Sequence, residues 1–231
     1  TDSFTAGIIP VFGYNQVSDG KDSSGVQIGD LTLQGQYRLS QFREGSRVPT
    51  TSVVVGATLP TGKYDRLGAN PNDGLGAGAY TTSIAFYSQY YLWMPNGRIL
   101  RTRFNVSYAF SDNVSLEDVS VYGTGEGFRG EAQPGDVFSV NSSWEYSITR
   151  NWVFALDLVY EHNDSTRVSG LDSDGAAVDV SSGSAWRFGL APAIEYNWSG
   201  NIGIIAGARW FAAGRNTSAT ITPAVALNMV F

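Results

Sequence analysis

Apolar and polar residues alternate with a period of two along most of this chain. Between residues 98 and 111, for example, Phe104 and Val106 lie on one face, while Arg103 and Asn105 lie on the other. Consecutive side chains of a β-strand point to opposite faces, so this pattern predicts strands with one apolar and one polar face. Ten such strands are predicted, at residues 4–16, 25–40, 50–60, 79–93, 98–111, 136–149, 151–162, 184–198, 201–213 and 217–231.

The lengths of the predicted strands and connections are those of a membrane β-barrel. The strands are longer than the five or six residues usual in globular proteins, and they match tilted transmembrane strands. Short connections alternate with long ones at 17–24, 61–78, 112–135 and 163–183. Short periplasmic turns opposite long extracellular loops are typical of outer-membrane proteins. The sequence therefore predicts one domain over 1–231, an all-β, transmembrane, antiparallel up-and-down β-barrel.

The pairing expected in three hairpins supports this assignment. In an antiparallel hairpin, the numbers of two paired residues add up to a constant. The constants predicted for the three hairpins are 192, 300 and 400, and these registers pair mostly apolar residues with apolar residues. The sum of 300, for example, pairs Trp144 with Leu156, and the sum of 400 pairs Tyr196 with Ile204. Pro192 and Pro223 lie within predicted strands and lack a backbone donor, so we expect a bulge or break nearby.

Aromatic residues form two bands near the strand ends, where amphipathic rings favour the lipid headgroups. One band contains Trp93, Tyr146, Trp152, Tyr196, Trp198 and Phe231, and the other contains Tyr14, Tyr80, Phe110, Tyr160, Trp186 and Trp210. The last strand ends on Phe231, a C-terminal aromatic typical of outer-membrane barrels. We expect the barrel-assembly machinery to bind through it. The competing interpretation is a soluble β-sandwich or a lipocalin-like barrel.

Composition narrows the classes of function. Mean hydropathy is −0.12, and no run of eighteen apolar residues predicts a transmembrane helix. A net charge of −6 argues against a nucleic-acid partner. The chain has no cysteine, which excludes disulfides and thiolate chemistry. No signal peptide precedes Thr1, as expected of a mature secreted form.

Two neighbouring segments resemble a known family. The segment G-D-L-T-L at 29–33 and the strand end L-P-T-G at 59–62 resemble motifs of the MetA-pathway phenol-degradation family of outer-membrane channels. Ile28 departs from the family pattern, which has small residues there. The resemblance implies a twelve-stranded channel, often linked to uptake of aromatic or hydrophobic compounds. With ten strands found, either the barrel closes with ten or an upstream hairpin is missing from the chain.

If the polar face points into the barrel, ten charged residues line the lumen. They are Asp30, Arg38, Arg101, Arg103, Glu145, Asp157, Glu161, Arg187, Glu195 and Arg209. An arginine facing lipid near the bilayer midplane costs about 2–4 kcal/mol, which favours the inward assignment. Either these charges orient polar solutes and set weak ion selectivity, or they pair into salt bridges that brace a filled barrel.

The long connections are acidic. Asp19, Asp22, Asp65, Asp73, Asp172 and Asp174 stand beside Gly, Asn or Ser. These residues either bridge to lipopolysaccharide through divalent cations or simply form turns. The Gly-rich stretch 74–78 has no phosphate-binding motif, and as part of a long loop it could fold inward and constrict the bore.

Catalytic chemistry has one candidate. His162 is the only histidine and lies at the end of a predicted strand, beside Glu161 and Asp164. A histidine at the membrane interface explains it better than a hydrolase at the barrel rim, because no G-x-S-x-G motif accompanies it. We therefore expect no enzyme, no cofactor and no metal site.

The sequence as a whole predicts a monomeric, integral outer-membrane channel for passive diffusion of small molecules, aromatic or hydrophobic compounds among them. Its partners are expected to be outer-membrane lipid, lipopolysaccharide and small-molecule solutes, and no nucleic acid. The alternatives are a closed structural barrel with a salt-bridged lumen and a transporter from which hydrophobic compounds exit laterally.

Overall fold

Residues 3–17 and 20–229 are described by the computed structural model, and they consist mainly of β-strands. The strands are β1 (Phe4–Ile9), β2 (Phe12–Gly13), β3 (Gln27–Ile28), β4 (Leu31–Ser40), β5 (Thr50–Leu59), β6 (Thr81–Trp93), β7 (Ile99–Ser111), β8 (Val114–Glu117), β9 (Arg129–Gln133), β10 (Val137–Ser147), β11 (Trp152–Asn163), β12 (Arg167–Leu171), β13 (Ala177–Ser181), β14 (Ala185–Asn197), β15 (Ile202–Arg215) and β16 (Thr220–Met229). A short 3-10 helix spans Pro71–Asp73. No helix in the described ranges is long and apolar enough to cross a membrane.

Ten strands form one antiparallel sheet, termed the main sheet, in the order β1-β4-β5-β6-β7-β10-β11-β14-β15-β16. Its connections at 94–98, 148–151 and 198–201 are short and lie at one end, the short-turn end; the long connections lie at the other, the loop end. The prediction of ten antiparallel strands is confirmed. The predicted closure is not seen. Among the described residues β1 pairs only with β4 and β16 only with β15, so both edge strands keep unpaired backbone groups.

The predicted hairpin registers are confirmed. Thr102 pairs with Tyr90, Trp144 with Leu156, and Tyr196 with Ile204. Gly97 closes the first of these turns with a positive φ of 74°, which a residue without a side chain adopts without strain.

The two N-terminal predictions need correction, because each strand is interrupted. Residues 4–16 were expected to form one strand, but β1 ends at Ile9, before Pro10, which cannot donate to a strand ladder. The chain resumes as β2, which pairs with β3 in a separate two-stranded sheet. The predicted strand 25–40 is likewise divided between β3 and β4.

The long connections 112–135 and 163–183 contain strands that the sequence pattern did not indicate. β8, β9, β12 and β13 form a four-stranded sheet, termed the capping sheet, in the order β13-β12-β9-β8. Its core is a buried cluster of Ala79, Val114, Leu116, Phe128, Ala132 and Val168, with Tyr64, Tyr122 and Val178 packed against it.

A break is present near Pro192, as predicted. Pairing of β14 with β15 shifts register between Phe188 and Gly189, and the ladder skips Ala191 and Pro192. The shift changes which residues share a face, so Arg215 pairs with Trp186 on the face opposite to Arg187. Around Pro223 the pairing of β15 with β16 is regular, so no break accompanies that proline.

The aromatic residues of both predicted bands lie near the ends of the strands. Trp93, Trp152 and Trp198 are exposed at the short-turn end, and Tyr80, Phe110 and Trp210 are exposed towards the loop end. Phe231 lies outside the described residues.

Candidate functional site

One face of the main sheet carries nearly all of the charges predicted to line a lumen. Cross-strand register places nine of the ten residues together on this face, termed the charged face. They are Arg38, Arg101, Arg103, Glu145, Asp157, Glu161, Arg187, Glu195 and Arg209. Asp30 lies just before β4, at the loop end. The opposite face is termed the apolar face.

A three-residue ion cluster lies on β7 and β10, towards the short-turn end of the charged face. Glu145 faces Arg101 directly across the β7–β10 pair, and its side chain is only 7% exposed. One carboxylate oxygen accepts from Arg101 and the other from Arg103. The Nε atom of Arg103 is buried and has no hydrogen-bond partner among the described residues. Two guanidinium groups on one carboxylate leave the cluster with one excess positive charge.

A second ion pair lies nearer the loop end. Arg187 faces Glu161 across the β11–β14 pair, and its Nε donates to a carboxylate oxygen of Glu161 at 2.6 Å. The guanidinium carbon of Arg187 also lies 4.1 Å from the ring centroid of Phe211, a cation–π contact. Phe211 is buried on the charged face beside Gly189. Simple alternation did not single out this aromatic residue as a part of the site.

The remaining charged residues are not paired with one another. Asp157 accepts a long hydrogen bond of 3.4 Å from the Asn141 side chain. Arg38, Glu195 and Arg209 take part in no ion pair within the described part of the chain. The charged face is therefore partly braced by salt bridges and partly left with free charge, so it combines features of both predicted arrangements.

Two cavities adjoin each other on the charged face. The larger, termed the apolar cavity, has a volume of about 480 Å³ and lies mainly against β11, β14, β15 and β16. The smaller, termed the polar cavity, has a volume of about 270 Å³ and is lined by Tyr87, Arg103, Asn105, Ser107, Ser139, Asn141, Ser143 and Asp157. Arg103 and Asp157 line both cavities, so the two spaces meet at these side chains.

The floor of the apolar cavity consists mostly of small residues. It includes Ala155, Ala191, Ala193, Gly207, Ala224 and Ala226, with Ile205 and Phe211 at its sides. Sequence reasoning recorded the charges of this face but missed its apolar part. The available signal was the run of Ala and Gly at alternate positions of the last three strands.

Asp30 fixes the long connection between β5 and β6. Its two carboxylate oxygens accept from the backbone N–H groups of Gly62 at 2.9 Å and of Ala77 at 2.7 Å. A side chain at Gly76 would lie 2.4 Å from the carbonyl oxygen of Gly62, so only glycine permits this approach. The glycine-rich stretch 74–78 is thus tied to the loop end of the charged face.

The connection between β8 and β9, which packs against the capping sheet, also holds this loop. The Tyr122 hydroxyl donates to the carbonyl oxygen of Ala77 at 2.6 Å. Burial, followed by the nearby charge of Asp30 and by Tyr64, raises the pKa of Tyr122 to about 12. Tyr122 therefore stays protonated and keeps this bond at any physiological pH.

The acidic loop residues satisfy turns and connections. Asp22 accepts from the backbone of Val17, and Asp65 accepts from that of Glu117. Asp172 accepts from the backbone N–H groups of Asp174 and of Ala176. The bonds of Asp172 are what turn chemistry predicts, whereas Asp65 joins two connections that are distant in the chain. Asp19 lies outside the described residues. Residues 3–17 and 20–229 contain no group of three potential metal ligands.

His162 lies on the apolar face and has an acidic neighbour. Register places it opposite Phe138 and Trp186, and its Nε2 lies 3.3 Å from a carboxylate oxygen of Asp164. No serine hydroxyl donates to it among the described side chains.

Comparison with known proteins gives two similarities. A family described as "Putative MetA-pathway of phenol degradation" matches residues 2–223. The structure is similar to the crystal structure of the COG4313 outer membrane channel from Pseudomonas putida F1, with a TM-score of 0.64 and 14% sequence identity. This similarity covers 97% of the present chain and 81% of that chain, and at such low identity it shows the fold alone. Among proteins with curated functions, none matches.

Proposed function

Because the chain belongs to the MetA-pathway phenol-degradation family, we propose that it is an integral outer-membrane channel through which small molecules diffuse passively. The adjoining cavities on the charged face are the observation that carries this proposal. They provide a space accessible to water beside Arg103 and Asp157, while the opposite face exposes apolar side chains. A sheet with this arrangement suits lipid outside and water inside.

A channel in a bilayer requires closure of the sheet, since backbone groups at an open edge cannot be satisfied by lipid. In the ten-strand order the two edge strands, β1 and β16, are antiparallel, so they can pair directly and close the barrel. If they do not, additional strands must lie between them in the closed barrel. Cysteine pairs test the two arrangements in a chain with no native cysteine. Ile8→Cys is combined with a cysteine at Ile221, Val225 or Leu227 on β16, all of which are exposed. A disulfide shows direct pairing, and its absence from every pair shows intervening strands.

Conductance in planar bilayers tests the channel itself. The purified protein is expected to give discrete current steps in potassium chloride. Heat-unfolded protein added at the same concentration serves as the control. A folded protein that inserts into the bilayer but conducts no current would favour the closed structural barrel, whose lumen is filled by the salt bridges of Glu145 and Glu161.

The apolar cavity supports aromatic or hydrophobic compounds as solutes of the channel. Its floor offers few polar groups, so an apolar ring could be buried there without removing many polar groups of the protein from water. Proteoliposome uptake of benzyl alcohol and of a sugar with similar mass provides the comparison. Equal rates, after correction for leakage across lipid alone, would contradict a preference for apolar solutes.

One observation favours lateral exit into the membrane as the second candidate. Pro192 and Ala208 belong to the apolar face by register, yet both line the apolar cavity. The β14–β15 ladder is interrupted at Pro192, which weakens the wall there. If solutes leave through this wall, Ala208→Trp is expected to slow delivery of a hydrophobic solute to lipid without changing ionic conductance. A parallel loss of both would place the effect in the central bore instead.

A further inference from the structure

Five charged side chains line the apolar cavity, and among the described residues Arg209 is the one cation there without an ion-pair partner. We propose that this cavity is a binding site for small aromatic monocarboxylates, with the ring on the floor and the carboxylate at Arg209. The proposal rests on the channel function proposed above and adds the class and charge of the solute.

The floor suits a flat apolar group. Its six small residues end at Cβ or lack a side chain, so a planar ring can lie close to the backbone of β11, β14, β15 and β16. Ile205 and the buried ring of Phe211 bound the space and provide further apolar contact. Binding sites for small molecules combine such apolar walls with a few polar groups that fix orientation.

Arg209 is the polar group placed to bind an anion. Its side chain lines the cavity, is exposed and takes part in no ion pair among the residues described. Extending the β14–β15 pairing across its gap brings Ala191 beside Arg209, and Asp157 pairs with Ala191, so two strand spacings, about 10 Å in total, separate the backbones at Arg209 and Asp157. A guanidinium group binds a carboxylate through two parallel hydrogen bonds.

The other charges of the cavity favour one negative charge and disfavour two. Glu145 is already neutralised by two arginines, and Arg187 is neutralised by Glu161. Asp157 lies across the floor from Arg209 with no salt bridge among the side chains described, and the one excess positive charge of the ion cluster around Glu145, at the same end of the cavity, offsets it. A second carboxylate, para to the first, would lie beside Asp157 and find no uncompensated cation there. Benzoate is therefore expected to bind better than terephthalate.

Titration calorimetry on the detergent-solubilised protein tests this proposal, with benzoate, benzyl alcohol and terephthalate as probes. Arg209→Gln is expected to weaken benzoate binding about tenfold, because a hydrogen-bonded charge partner is lost, and to leave benzyl alcohol binding unchanged. Arg215→Gln is the matched control. It removes the same charge from the same strand, but on the apolar face.

A second variant tests the floor independently of charge. Ala224→Leu adds bulk on an exposed strand of the cavity and is expected to weaken binding of both benzoate and benzyl alcohol. The proposal is overturned if benzoate binding does not change in Arg209→Gln, or if Arg215→Gln weakens it equally. It is also overturned if terephthalate binds as well as benzoate.

Conductance in potassium chloride, measured on the same samples, separates failure of this site from failure of the channel. A conducting protein without benzoate binding would overturn the binding site and leave the channel intact. A silent protein that binds benzoate through Arg209 would support the site and overturn the channel.

Discussion

The capping sheet buries large apolar side chains, whereas the main sheet exposes most of its large apolar side chains and buries part of its charged face. In the capping sheet, Leu116 is 1% exposed and Ala132 is 0% exposed, as in the core of a water-soluble protein. In the main sheet, Phe104 is 48% exposed and Val55 is 52% exposed, whereas Glu145 is buried at 6%. Both sheets are antiparallel and belong to one chain, so strand geometry does not explain the difference.

The difference in which side chains are buried is what we expect if the capping sheet is surrounded by water and the main sheet by lipid. Water drives apolar side chains into a core, and the capping sheet follows this rule at the loop end. Lipid gives no such drive, and it penalises exposed charge, which is the reason for proposing that the charged face of the main sheet points away from lipid. A substitution should therefore have opposite consequences in the two sheets.

The largest effect is expected from placing a charge in the core of the capping sheet. Leu116→Asp buries an unpaired carboxylate and removes apolar contacts, and the capping sheet should lose about 4–5 kcal/mol of stability. Ser115→Asp, on the exposed neighbouring position, should have little effect. Limited proteolysis would show cleavage at 112–135 in the first variant alone. Resistance equal to that of the unmodified protein would contradict the buried core.

A smaller effect is expected on the apolar face of the main sheet. Phe104→Arg places a charge near the middle of β7 and should cost about 2–4 kcal/mol in a bilayer. Asn105→Arg, the next residue, points to the polar cavity and should be tolerated. Urea unfolding in lipid vesicles measures both variants. If Asn105→Arg proves the more damaging, the assignment of the two faces is wrong.

In the ion cluster of the main sheet, removing the acid and removing the arginines should shift the ion selectivity in opposite directions. Glu145→Gln leaves two arginines without their anion, which should cost about 2 kcal/mol and shift the current towards anions. The double change Arg101→Ala with Arg103→Ala leaves Glu145 alone and should shift the current towards cations. Reversal potentials across a potassium chloride gradient measure both. Shifts in the same direction would mean that the cluster does not line the conducting path.

The smallest effect concerns the β2–β3 hairpin, which a surface carboxylate fastens at the loop end. Asp73 accepts from the backbone and the hydroxyl of Ser24, and these bonds lower the pKa of Asp73 from its ordinary value of 3.8. A lowered folded-state pKa stabilises the folded form above the ordinary value, and the contribution is lost as pH falls below it.

Relative to its intrinsic rate, hydrogen exchange at the Ser24 amide should therefore be slow at neutral pH, and this protection should be lost on acidification below about pH 4, the ordinary range of a carboxyl group. Asp73→Asn should give fast exchange with little dependence on pH beyond the intrinsic chemistry. Asp174→Asn is a suitable control, because that carboxylate accepts no hydrogen bond from the hairpin among the described residues. Slow exchange in Asp73→Asn would show that the carboxylate does not hold the hairpin.

Strand number, order and hairpin register could be predicted from sequence because they depend on local alternation. A side-chain period of two shows which residues share a face, and a short turn then fixes the pairing of its two strands. Trp144 opposite Leu156 follows from these facts alone. The family resemblance was also confirmed, and the predicted outer-membrane location is supported by the family and the fold.

The capping sheet could not be predicted in this way. β8 has four residues and β9 has five, too few to show a clear period. β9 pairs with β12 across more than thirty intervening residues, so no local turn indicates this central pairing of the capping sheet. Alternation does place Phe211 on the same face as Arg209, but its contact with Arg187 depends on the pairing of β14 with β15, which the sequence pattern did not indicate at this point.

The sequence by itself determined an antiparallel sheet of ten strands with an apolar and a charged face, because those features follow from residue order along each strand. Only the tertiary structure decided how the charges are used. It placed Glu145 between two arginines, left Arg209 without an ion-pair partner among the described residues beside a floor of small residues, and tied a loop to Asp30. Such contacts depend on the distances between side chains from several strands, which no local pattern records.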